Sequence, residues 1–131
     1  MNQVNLQPHV KKFLLAGCLS LAVAVLIGAF GAHGLKNIVT AEKLITFETG
    51  VRYHFYHGFG LIMLAMAQQL FPEIKLKGSF YCFIAGILLF SFNCYFYVLS
   101  GMKIFAMIVP IGGLLFVIGW LFFGWKALKL R

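Results

Sequence analysis

The chain has 131 residues, of which 62% are hydrophobic and 11% are charged, and its mean hydropathy is +0.94. A soluble domain carries roughly 25% charged residues, so this composition excludes a soluble globular protein. The net charge of +8 does not indicate nucleic-acid binding, because the basic residues flank apolar segments, as they do in membrane proteins. We therefore expect the lipid bilayer as a partner and no nucleic acid.

Four apolar segments, at about 13–32, 50–70, 79–99 and 104–125, account for most of the chain. Each has about 20 residues, which is the length that crosses a hydrocarbon core of about 30 Å as a helix. Strands of a membrane barrel alternate apolar and polar residues over about 10 residues, whereas these segments are apolar throughout. The sequence predicts an all-α integral membrane protein in which residues 1–131 form a single bundle of four transmembrane helices.

The basic residues are unevenly divided between the two sides of such a bundle. With four spans, both termini and the connection between the second and third spans lie on one side. That side holds seven basic residues: Lys11, Lys12, Lys75, Lys77, Lys126, Lys129 and Arg131. The other side holds four: Lys36, Lys43, Arg52 and Lys103. Because basic residues concentrate on the cytoplasmic side, the distribution predicts that both termini are cytoplasmic.

The first apolar segment carries a stripe of small residues. They recur every four positions: Ala16, Ser20, Ala24, Gly28 and Ala32. Small side chains let membrane helices approach closely, so we expect the stripe to be a packing face. Gly31 and His33 follow at the outer end of the segment. The same stripe motivates an alternative hypothesis, in which the protein is a small oligomeric transporter or channel.

The second apolar segment opens with charged residues. Thr40 is placed to cap a short amphipathic helix, which either lies on the outer membrane surface or runs without a break into the second span. Glu48 and Arg52 are four residues apart with the acid first, which favours a local ion pair in a helix. We therefore assign these two residues a structural role at the membrane surface.

The third and fourth segments each carry one informative irregularity. Asn93 places a carboxamide inside the bilayer, where it needs a hydrogen-bonding partner. Tyr95 and Tyr97 follow at the outer interface, where phenols are favoured. In the fourth segment, Pro110 removes a backbone hydrogen bond and predicts a kink, and Gly113 follows it at a position for close packing.

Polar residues from three segments fall in the same half of the bilayer. His33 ends the first segment, Tyr53 and His57 share the start of the second, and Asn93 lies in the outer half of the third. Ionisable residues inside a span are costly and indicate function. The sequence thus predicts an outer-half cluster of His33, Tyr53, His57 and Asn93 that binds a small ligand or a membrane partner protein, or that locks the bundle.

The chemistry of this cluster stays open at the sequence level. His33 and His57 are the candidate ligands of a metal, and two histidines at equal depth on neighbouring helices also suit a haem, so a metal- or haem-binding redox subunit is an alternative. A quinone-like or lipid-like ligand against aromatic walls is a further one. The sequence names no cofactor. Because it contains no nucleophile–base arrangement, phosphate loop or paired carboxylates, we expect no catalytic residues and a non-enzymatic protein.

Four ordered motifs carry a family resemblance to the YgdD/YwdK-type family of small bacterial inner-membrane proteins of unknown function. They are Gly28-Ala-Phe-Gly-Ala-His33, Thr49-Gly-Val-Arg-Tyr-His-Phe-Tyr-His57, Phe90-Ser91, and Pro110-Ile-Gly-Gly113 with Gly119-Trp120. The resemblance implies a multi-pass, four-helix protein of the bacterial inner membrane, and it implies no activity. This chain has His54 where relatives often have glutamine, so we interpret His54 as a local variation and Tyr53 and His57 as the site residues.

Overall fold

A computed structural model describes residues 6–130, and every regular element in that range is helical. Five α-helices follow in chain order: α1 (Pro8–Phe30), α2 (Ala41–Leu70), α3 (Lys77–Gly86), α4 (Asn93–Ser100) and α5 (Lys103–Ala127). A π-helical turn at Gly31–Leu35 extends α1, and a second one at Ile87–Phe92 joins α3 to α4. The chain therefore forms four helical rods, and these contain the four apolar segments predicted above.

Three of the four rods are long and apolar enough to cross a membrane: Pro8–Leu35, Lys77–Ser100 and Lys103–Ala127. Helix α2 has 30 residues, so its length also suffices, but it is the least apolar of the four rods. The reason is local, because Arg52, His54 and His57 lie within two turns of each other. The all-helical class is thus confirmed.

Local interactions explain where the helices begin and end. The hydroxyl of Thr40 accepts a hydrogen bond from the backbone N–H of Lys43, which caps α2 as predicted. Gly101 ends α4 with φ 72°, a left-handed conformation that glycine adopts without a steric penalty. Near the C-terminal end of α2, the Gln68 side chain donates to the carbonyl of Ile74 and accepts from the N–H of Leu76. Gln68 therefore holds the connection between α2 and α3 in place.

Helix α1 packs on α2, α2 packs on the α3–α4 rod, and that rod packs on α5. Two apolar cores result. One lies at the end that holds the chain termini and includes the stacked rings of Phe13 and Phe80. The other lies at the opposite end and is formed by Leu35, Phe47, Tyr95 and Val98. All four rods contribute residues to the terminal core.

The small-residue face of α1 differs from the predicted stripe. Gly17, Ala24 and Gly31 are the buried small residues, whereas Ala32 is exposed. Each step of four residues turns a helix by about 400°, so a strict four-residue repeat drifts around the axis, while steps of seven residues nearly return to the same face. A Cβ on Gly17 would lie 2.6 Å from Cγ1 of Ile62 on α2. The packing face of α1 is therefore occupied by α2 of the same chain.

Helix α5 runs without interruption through Pro110. The close approach occurs at Gly112, where a Cβ would lie 2.6 Å from the carbonyl carbon of Leu89 and 2.8 Å from Cα of Phe90. At Gly113, by contrast, the nearest atoms belong to the Phe90 ring at 3.6 Å, an ordinary contact. Of these two adjacent glycines, Gly112 is thus the one that packs against backbone.

This difference gives a matched pair of substitutions. Gly112→Ala places a methyl group against the backbone of the π-helical turn, which cannot move aside as a flexible side chain does. We expect it to lower the free energy of unfolding by about 1–3 kcal/mol, the usual cost of overpacking. Gly113→Ala is the control, because it gains the same helix propensity without the clash. Equal denaturation midpoints for the two variants in detergent would contradict the packing described here.

Candidate functional site

Helix α2 carries the two histidines of the site on a face that is buried by the other helices. His54 is 1% exposed and His57 is 3% exposed. Gly50, Leu61 and Leu64 are buried on the same face. These residues follow the three- and four-residue spacing of one helix face. An imidazole enclosed among apolar rings needs partners for its nitrogens, because an unpaired buried polar atom is costly.

Both ring nitrogens of His57 have such partners. Its Nδ1 lies 2.8 Å from the backbone carbonyl oxygen of Tyr53, and its Nε2 lies 3.1 Å from the indole nitrogen of Trp120 on α5. A carbonyl only accepts and an indole N–H only donates. The two bonds therefore define one neutral tautomer, in which Nδ1 carries the proton and donates, while Nε2 accepts.

The ring of His57 is also enclosed by aromatic side chains. It stacks on Phe116 at a centroid distance of 3.4 Å with the planes 9° apart, and the ring of Phe83 meets it edge-on at 5.2 Å. Tyr53 stacks on the same group, 6.2 Å from both His57 and Phe116. Residues from α2, α3 and α5 thus meet around one imidazole, which ties three rods together.

This arrangement leaves His57 no nitrogen for a metal or haem unless one of its two hydrogen bonds breaks. His33 is exposed in the π-helical turn at the end of α1. Across residues 6–130, no three histidine, cysteine, aspartate or glutamate residues come close enough to hold a metal ion together. The geometry of the described residues therefore gives the metal hypothesis no donor set.

His54 belongs to a separate contact. Its Nδ1 lies 3.2 Å from the hydroxyl of Tyr95 on α4, and the ring of Tyr95 packs against Phe47 at 4.9 Å. The structure places both residues of this contact inside the bundle. Tyr95 is a buried core residue at 4% exposure. His54 is buried and hydrogen-bonded, and its partner lies 41 residues away in the chain, beyond the reach of local patterns.

Asn93 makes its hydrogen bond within its own rod. Its side-chain nitrogen donates to the carbonyl oxygen of Leu88, 3.0 Å away. Leu88 lies in the second π-helical turn, and Asn93 directly follows that turn. His33 points away from the bundle because Gly31 and Leu35 are the buried residues of its turn. Of the four predicted site residues, the structure brings only Tyr53 and His57 into contact.

A groove, which we call the outer groove, lies between the end of α1 and the first half of α2. It has a volume of about 190 Å³ and is lined by Gly28, Gly31, Ala32, Phe47, Glu48, Val51 and Arg52. Gly31 makes room for the ring of Phe47, since a Cβ there would lie 2.8 Å from Cδ1 of that ring. The four structural residues predicted from the first two segments thus converge on one cavity.

The predicted ion pair between Glu48 and Arg52 does not form among the residues that the structure describes; both side chains instead line the outer groove. An exposed pair of this kind gains little free energy, with typical values of about 0.2–1 kcal/mol, so nothing forces the two groups together. Two residues of opposite charge consequently border the same cavity.

Trp120 and Phe116 are site residues that the sequence did not reveal. Both lie on α5, whose buried residues also include Gly112 and Gly119. Helix α5 is apolar all round, so periodicity cannot tell its inner face from its outer face. The signal that was available is the spacing of four residues between Phe116 and Trp120, which places two aromatic rings on one side of a helix.

Together, these features define a small, all-helical membrane protein with a locked histidine at its centre. Residues 27–113 match the family described as "Protein of unknown function (DUF423)". The chain is 36% identical to the UPF0382 membrane protein YwdK of Bacillus subtilis over 121 residues, which are 92% of this chain and 98% of that protein. It therefore belongs to this family of membrane proteins.

Staphylococcal relatives agree with this assignment. The chain is 38% identical to a UPF0382 membrane protein of Staphylococcus saprophyticus over 112 residues, which are 86% of this chain and 92% of the relative. It is 37% identical to one of Staphylococcus epidermidis, over 86% of this chain and 91% of the relative. No solved structure matches the chain. Neither the family description nor these names state an activity.

The hydrogen bond between Trp120 and His57 can be tested with a matched pair of tryptophan variants. Trp120→Phe keeps an aromatic ring but removes the N–H, which leaves the buried Nε2 of His57 without a donor. We expect the free energy of unfolding to fall by about 1–3 kcal/mol. Trp125→Phe is the control, because Trp125 is 49% exposed. If both variants unfold at the same denaturant concentration, the bond does not hold the bundle.

Proposed function

We propose that the protein is a single-domain, four-span protein of the bacterial inner membrane with both termini in the cytoplasm. The support for α2 as the fourth span is the burial of its polar face. His54 and His57 are enclosed by other rods, so the face left outward consists of Tyr56, Phe59 and Met63, which are compatible with lipid. The excess of basic residues at the terminal side sets the orientation.

Labelling of introduced cysteines tests this topology. In a background without Cys18, Cys82 and Cys94, we expect Ile38→Cys to react with a membrane-impermeant maleimide in intact spheroplasts. Ile38 is 77% exposed in the connection between α1 and α2. Glu73→Cys, in the connection between α2 and α3, is the control and should react only after lysis. Labelling of Glu73→Cys in intact spheroplasts would contradict the cytoplasmic assignment of the termini.

We further infer that the protein is non-enzymatic and binds a small zwitterionic ligand in the outer groove. The observation that carries this inference is the placement of Glu48 and Arg52 along one cavity without an ion pair between them. A carboxylate prefers an ammonium group, and a guanidinium pairs with phosphate through two parallel hydrogen bonds. A phospholipid headgroup that carries both charges, such as phosphoethanolamine, suits this pair at the membrane surface.

The predicted polar cluster supports this site in two different ways. His57 and Asn93 use their hydrogen-bonding groups inside the protein, so we assign His57 the role of tying α2 to α5 and Asn93 that of stabilising its own rod. Tyr53 packs beside His57 with 37% of its surface exposed. His33 is exposed next to Ala32 of the groove, where it is available to a bound headgroup.

Competition between lipids tests the binding proposal. In native mass spectrometry with equal amounts of phosphatidylethanolamine and phosphatidylglycerol, we expect adducts mainly with phosphatidylethanolamine. A charge-assisted hydrogen bond contributes about 1.5–3 kcal/mol, so Arg52→Gln should weaken that adduct by roughly tenfold or more. Lys103→Gln is the control, because it removes an exposed cation at the same end of the bundle. Equal adducts in all three proteins would refute the outer groove as the site.

A further inference from the structure

A second groove, which we call the lateral groove, lies between α1 and the α3–α4 rod. It has a volume of about 180 Å³, and α2 contributes a single residue, His54, to its lining. Its other lining residues include Leu19, Ser20, Val23, Leu88 and Phe92. Leu19 and Leu88 are 58% and 52% exposed, so the mouth of the groove faces the surroundings of the bundle, which are lipid in a four-span protein.

Two polar atoms at this groove lack a partner within residues 6–130. Ser20 Oγ is buried and forms no hydrogen bond. His54, which is 99% buried, forms its one hydrogen bond through Nδ1, so its Nε2 is unused. A buried polar atom without a partner costs about 1–3 kcal/mol. Ser20 Oγ is enclosed beside Gly58 of α2, whereas Nε2 belongs to a residue that lines the groove.

The contact with Tyr95 determines the chemistry that Nε2 offers. The buried Tyr95 hydroxyl forms one hydrogen bond, to Nδ1 of His54. If the hydroxyl donates this bond, its proton is satisfied and Nε2 of the neutral imidazole carries the other proton. If it instead accepts the bond, the phenol proton has no acceptor within hydrogen-bond distance among the described residues, since Ser91 Oγ forms no hydrogen bond. The first arrangement is favoured, so Nε2 presents an N–H donor.

We propose that the lateral groove binds the carbonyl head of a membrane-dissolved amphiphile. A carbonyl oxygen only accepts hydrogen bonds, which suits the N–H of His54. The groove is smaller than the 300–1,000 Å³ of typical ligand pockets, so it holds a head group, while the hydrocarbon tail leaves past Leu19 and Leu88 into the bilayer. A quinone ring and a fatty ester share this chemistry. The site is separate from the outer groove and does not depend on it.

An NMR titration of the full-length protein tests the proposal. The protein carries ¹⁵N-labelled histidine and is held in an alkyl glycoside detergent, which has no carbonyl group. Three probes are added separately: a decyl-substituted benzoquinone, a monoacylglycerol, and a decyl-substituted dimethoxybenzene that lacks a carbonyl. We expect the Nε2 resonance of His54 to shift in a saturable way with at least one of the first two and not with the third. Which carbonyl probe binds identifies the source of the ligand.

Two variants separate binding from folding. Leu88→Trp fills the groove from its exposed side and leaves the bond between His54 and Tyr95 intact, so it should weaken binding at least tenfold while the His54 resonance of the free protein persists. His54→Phe keeps a ring in the core and removes the donor, and it also assigns the resonance. His9→Phe, outside the groove, is the control. The proposal is overturned if neither carbonyl probe shifts the resonance, or if Leu88→Trp binds as tightly as the unaltered protein.

Discussion

The need to cover the polar face of α2 governs the rest of the bundle. An imidazole in an apolar environment is stable only when its nitrogens are paired. The bond from Trp120 to His57 brings α5 against α2, and the bond between His54 and Tyr95 does the same for α4. Since neither bond can be replaced by water inside the bundle, the two histidines specify which helices are neighbours and at what depth.

Glycines make this arrangement possible by letting bulky rings and backbone come close. A Cβ on Gly50 would lie 2.8 Å from Cβ of Cys94, and one on Gly60 would lie 2.9 Å from Cε2 of Phe83. Gly112 meets the backbone of the π-helical turn at Ile87–Phe92 directly. π-helical turns often accompany functional sites. The turn at Ile87–Phe92 lies between α3 and the two hydrogen-bonded residues of α4, Asn93 and Tyr95. Close packing and hydrogen bonding thus act on the same helix faces.

The polar groups of the bundle fall into two sets. Some have all their hydrogen-bonding partners within the protein, and others lack a partner. His57 and Asn93 have their partners within the chain, and a group whose hydrogen bonds are complete stabilises the fold more readily than it recognises a ligand. Glu48, Arg52 and Nε2 of His54 lack such partners among the described residues, and all three residues line a groove. The proposed ligand contacts follow from this difference.

Much of the architecture followed from the sequence alone. Segment length and apolar composition predict four helices, because a bilayer fixes both, and the cap at Thr40 followed from the local sequence. Only the tertiary structure decided which of these residues act together. Trp120 reaches His57 across 63 residues and Tyr95 reaches His54 across 41, and an all-apolar helix gives no sign of which side faces inward. Glu48 and Arg52 have the spacing of an ion pair, yet they line a groove. Local patterns report helix formation, whereas the partners of a polar atom depend on how the helices pack.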